Sequence, residues 1–68
     1  MKNKYDIICM ALKSAPNYNN DSALLTNDLC SRYQVGSNDR VIVQNIVAVA
    51  LDASASGETD FILAQTLG

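Results

Sequence analysis

Apolar positions recur at helical spacing in three parts of the chain, and a fourth part is apolar almost throughout. Residues 4–14 place Tyr5, Ile8, Cys9 and Leu12 on a shared face, with Ile7 and Ala11 beside it and Asp6 and Lys13 pointing away. Pro16 biases Ala15 away from helical angles and closes that segment. Residues 15–21 read as a polar, turn-forming loop in which Tyr18 stands without apolar neighbours. Asp21 or Ser22 can cap a second helix reaching about to Tyr33, with Thr26 as an alternative, later cap. In that helix Leu25, Leu29 and Tyr33 recur at every fourth position and Cys30 lies adjacent. Gly36 is expected to end it, glycine being the usual residue at a left-handed stop.

Residues 40–51 form the longest apolar run. Its many Val and Ile residues favour a strand, and Gln44-Asn45 could turn a hairpin pairing 41–43 with 46–49. That turn wants positive φ at both positions, which Asn tolerates and Gln does not. The helical reading is preferred. It gathers Gln44, Asn45, Ala48 and Asp52 on one narrow side and sets Ile42, Ile46, Val49, Ala50 and Ala53 opposite. Val43, Val47 and Leu51 widen the apolar arc to about 200°, beyond the stripe of a surface helix. Residues 36–39 supply the start, and Ser54, Ser56 and Gly57 the stop. A weaker helix is expected from Glu58 to Leu67, capped by Ser56, with Phe61, Ala64, Leu67, Ile62 and Leu63 on its apolar side. The expected fold is all-α: one small helical domain over residues 1–68, a compact bundle of three to four short helices.

Length and composition sharpen this picture. A chain of 68 residues is near the lower limit for a self-sufficient core, and with no Trp and one Phe that core must be aliphatic. Charged residues are only 18% of the chain, so an over-wide apolar helix points to a homodimer, with Val43, Val47 and Leu51 as the expected self-association residues. A net charge of −2 disfavours a general nucleic-acid binder. Beyond Arg40 there is no basic residue, only Asp52, Glu58 and Asp60. These three, with Tyr18, are the expected partner-binding residues, because the carboxylates can steer towards a basic surface and an isolated Tyr suits an interface. No run is long enough to span a membrane and no secretory signal is visible, so a cytoplasmic location with reduced thiols is expected.

Candidate chemistry is sparse. The absence of histidine removes Ser-His-Asp and Cys-His catalysis and His-based zinc sites. Cys9 and Cys30 each fall on an apolar face, where cysteine behaves as a small hydrophobe. Residues 52–60 place oxygen-bearing side chains at several positions of an EF-hand-like loop, but its twelfth position is Leu63 where a bidentate Glu is needed. No catalytic residue, cofactor or metal site is expected. The chain therefore reads as a non-enzymatic protein-binding module: a small inhibitor, adaptor or regulatory subunit of a larger protein. The alternative is a helix-turn-helix-like DNA-binding regulator built on residues 29–51, using Arg32 and Arg40. Its second helix, however, offers bases little beyond Arg40, Gln44 and Asn45. Small size and plain composition fit an accessory protein of a phage or mobile element, an expectation from form alone.

Overall fold

Four α-helices, and no strand, make up the residues described by the computed structural model, which are 2–18 and 21–67, without the side chains of Thr66 and Leu67. Asn19 and Asn20 of the expected loop, and the Leu67 side chain of the expected apolar face, lie outside that description. The helices are α1 (Lys4–Ser14), α2 (Ser22–Arg32), α3 (Arg40–Ser56) and α4 (Thr59–Leu67). The all-α expectation holds, and residues 40–51 are helical, not a hairpin.

Local chemistry accounts for most boundaries. After α1 the chain tightens into a 3-10 turn over Ala15–Tyr18, so the first part of the expected loop continues the helix, with buried Ala15 still packing into the core. Asp21 caps α2, its Oδ1 accepting from the Leu24 amide at 3.1 Å. A second 3-10 turn, Ser37–Asp39, leads into α3.

Two helix ends use the same left-handed stop. At the end of α3, Gly57 has φ 78°, the Glu58 amide donates to the Ala53 carbonyl and the Gly57 amide to that of Ser54. At the end of α2 the equivalent residue is Gln34, at φ 53°, while Val35 donates to the Cys30 carbonyl and Gln34 to that of Ser31. Gly36, expected to be this stop, is instead extended at φ −70°. The physical reason is the residue after the stop. Val35 follows Gln34 and packs against the core, supplying the apolar contact that such a motif favours; a stop at Gly36 would put Ser37 there.

The C-terminal connection also departs from expectation. Residues 52–56 are the last turns of α3, so the EF-hand-like spacing lies mostly on a helix and forms no loop. Ser56 does not cap α4; its hydroxyl donates back to the Ala53 carbonyl at 3.1 Å.

Packing explains the topology. Lys2 and Asn3 share a cleft with Gly36 and Asp39, while Leu12, Lys13 and Pro16 share one with Ser54 and Gly57, so α1 and α3 run side by side in the same direction. Ser22 and Ala23 lie near Ala48, and Asn27 near Arg40, so α2 runs against α3. The helix α4 folds back over the seam of α1 and α3. The core is aliphatic: Ile7, Ala11 and Leu12 of α1, Leu25, Leu29 and Cys30 of α2, and Val43, Val47, Ala50 and Leu51 of α3. Buried Thr26 is its polar member. The radius of gyration, 11.0 Å, equals the roughly 11 Å expected of a folded chain this long. One copy thus closes its own core.

Candidate functional site

Rotation of α3 decides which side chains reach solvent. Val43 and Val47 are fully buried and Leu51 nearly so, whereas Val49, placed by the sequence near the middle of the apolar arc, is 63% exposed. Val43, Val47 and Leu51 are therefore core residues of a single copy and offer no surface for self-association. The correction has a simple origin. Three unequal neighbours cover α3: α1 and α2 pack heavily on the Val43–Val47–Ala50 side, while the shorter α4 leaves the Ile42–Val49 side partly open.

The first helix is rotated in the same sense. Ile7, Ala11 and Ala15, four residues apart, form its buried line, and Tyr5, expected on the inner face, is 72% exposed. Tyr5, Ile8 and Leu12 make the next stripe, since residues three and four apart share a helix side.

These rotations create an open apolar groove. Ile8 and Leu12 of α1, Ile46, Val49 and Ala50 of α3 and Ile62 of α4 line a hollow of about 270 Å³, with Asn45 as its polar edge. Phe61, next to Ile62 in the chain, is 68% exposed. Helical spacing sets Phe61 on the side of Ile62 away from Leu63, which lines a different cleft. No charged side chain lines the groove.

The expected partner-binding residues are not gathered into one site. Tyr18 is half-buried and packs against the core from its 3-10 turn, so it is a lid over the core and not an isolated ring. Asp52 is exposed near the end of α3, Glu58 is exposed in the α3–α4 connection, and Asp60 is exposed in the first turn of α4, where it lines a polar cleft with Lys13, Ser54 and Thr59. Thr59 Oγ1 is buried there without a hydrogen-bond partner. Sequence reasoning missed the groove itself, and the exposed Val49, Tyr5 and Phe61 carry no signal separating them from core residues of the same type.

The basic residues of the helix-turn-helix reading are both engaged. Arg32 pairs with Asp28 one turn earlier at 3.3 Å, and Arg40 donates to Asn27 Oδ1 across the α2–α3 interface. The cysteines are unlinked, Cys9 half-buried and Cys30 buried. Among the described residues there is no cluster of three or more acidic or cysteine side chains that could hold a metal, and no helix is long and apolar enough to cross a membrane. Comparison with known proteins finds no matching family model, no matching curated protein and no matching solved structure.

Proposed function

We propose that this chain is a non-enzymatic protein-binding module that acts by occupying a surface of a larger protein, as a small inhibitor, adaptor or regulatory subunit does. The observation that carries the reading is the uncharged groove of Ile8, Ile46, Val49 and Ile62. Open apolar surface of this kind is the usual footprint of protein association. Asp52, Glu58 and Asp60 lie exposed towards the same end of the molecule and add a polar, acidic component suited to steering a basic partner. The lack of histidine and the burial of Cys30 in the aliphatic core support a role without chemistry.

DNA binding is the weaker reading. The exposed side of α3 carries Val41, Gln44, Asn45, Ala48 and Asp52, and the guanidinium at its start is held by Asn27. The test is a photocrosslinking residue at position 52, compared with one at exposed Ser37 at the opposite end of α3, in the full chain expressed in its own host. The expected result is one dominant adduct with a larger protein at 52 that is absent at 37. Adducts with nucleic acid alone, or none above the level at 37, would overturn the reading.

A further inference from the structure

We infer that the polar cleft between α2 and α3 binds a carboxylate, held by the Arg40 guanidinium and the Thr26 hydroxyl. The cleft shares no lining residue with the apolar groove, so the inference goes beyond the proposed function and does not depend on it.

Arg40 differs from every other basic side chain among the described residues. Lys2, Lys4, Lys13 and Arg32 are exposed, and Arg32 is already paired with Asp28. Arg40 is half-buried and forms no ion pair with a carboxylate among the described residues. One of its Nη groups donates to Asn27 Oδ1, which ties the guanidinium to α2. A guanidinium has five N–H donors, and this bond uses one of them. Moving a cation partly out of water is costly unless an opposite charge meets it.

Thr26 is the second unmet group. It is 3% exposed and yet lines the cleft, and its hydroxyl makes no hydrogen bond among the described residues. A threonine within a helix commonly turns that hydroxyl onto the carbonyl one turn back; this one does not. The side-chain amides of Asn27 and Gln44, both exposed, bring further donors to the rim. These groups border a hollow of about 300 Å³.

Such a donor set selects an oxygen anion, and a planar carboxylate matches the guanidinium fork. Charge limits the anion to a single negative charge. The chain is net −2, and four aspartates stand close in sequence to the lining residues. None of them lines the cleft. Asp21 accepts from the Leu24 amide, Asp28 pairs with Arg32, Asp39 lines a separate cleft with Lys2, and Asp52 stands one turn beyond Ala48. A dianion such as phosphate would meet about twice the repulsion from them. Ala23 and Ala48 make part of the wall apolar, which suits a short aliphatic stem. The ligand is then a short aliphatic carboxylate, either a free acid or the end of a glutamate side chain on a partner.

NMR titration of the isotope-labelled full chain at constant ionic strength tests this. The probes are butyrate, glutamate blocked as its N-acetyl N-methylamide, butyramide and inorganic phosphate. The signals followed are the Asn27 and Gln44 side-chain amides and the Arg40 Nε–H. Butyrate or blocked glutamate is expected to shift them saturably, with Kd on the order of a few millimolar, as two charge-assisted bonds allow. The tighter of the two identifies the source as a free acid or a protein side chain. Butyramide, which keeps the stem and loses the charge, and phosphate are expected to bind at least about tenfold more weakly. Arg40→Gln and Thr26→Val are each expected to weaken the carboxylate about tenfold, with circular dichroism checking that each variant folds. Either folded variant suffices for the test. Shifts that never saturate, that butyramide or phosphate matches, or that survive the substitution in a folded chain overturn the inference.

Discussion

Replacing Val47 and Val49 by Ala, one at a time, tests the rotation of α3, on which the groove and the proposed function depend. The two residues sit about 160° apart around the helix axis. Val47 is fully buried; Val49 is 63% exposed. Truncating Val47 removes two methyl-sized groups, about 1.6 kcal/mol of transfer free energy at roughly 0.8 each. The unfilled cavity raises the loss to about 2.5 kcal/mol, because packed surroundings relax only partly. Alanine's better helix propensity returns up to about 0.5 kcal/mol, leaving a net loss near 2. For Val49 about a third of the transfer term applies, roughly 0.5 kcal/mol, and the same propensity gain cancels it. A chain of 68 residues has a total stability of about 3–10 kcal/mol, so the first variant loses a large share of it and the second almost nothing. Thermal unfolding followed by helical circular dichroism measures both. Val47→Ala is expected to melt about 8–16 °C below wild type and Val49→Ala within a few degrees of it. Equal losses, or a larger loss at Val49, would refute the assigned rotation and with it the groove.

Five further substitutions, at four positions, probe the helix ends. Gly57→Ala is expected to cost about 1 kcal/mol in urea unfolding, because φ is 78° there although space is open, whereas Gly36→Ala, extended and uncrowded, is expected to be neutral. Gln34→Gly is expected to stabilise by about 0.5–1 kcal/mol by relieving the left-handed penalty at φ 53°; a destabilised variant would show that Gln34 contributes contacts outweighing it. Asp21→Ala is expected to cost about 1 kcal/mol and Asp21→Asn almost nothing, since both Asp and Asn can accept from the Leu24 amide; equal losses would show that the cap bond is idle.

Helix positions were far more legible in the sequence than helix rotations. Lys4–Ser14 follows directly from spacing and punctuation, which leave the cap of α2 open between Asp21, Ser22 and Thr26, and the Leu25–Leu29–Cys30 side of α2 is the buried one. On α3 the four polar or small residues 44, 45, 48 and 52 mark a solvent side correctly. They do not locate the core, because the point opposite a polar sector is buried only where neighbours cover it evenly. Ser56 misled for a related reason. A serine before a helix and a serine ending one look alike in sequence, and only the hydrogen bond back to Ala53 separates them. The groove was illegible because it depends on how far α4 reaches, and length along one helix says nothing about what it leaves bare on another.

That uneven coverage has a consequence for how the molecule opens. Among the described residues none of α4 is fully buried; Thr59, Ile62 and Leu63 are only half so, whereas each of the other three helices sinks side chains into the shared centre. Lifting α4 away is then expected to need less free energy than unravelling the rest, so its amides should be the first of the four helices to exchange hydrogen. Departure of α4 would bare Leu12 and Ala50, joining the groove to fresh apolar surface. The three-helix remainder, which carries the buried core, is expected to be the durable unit.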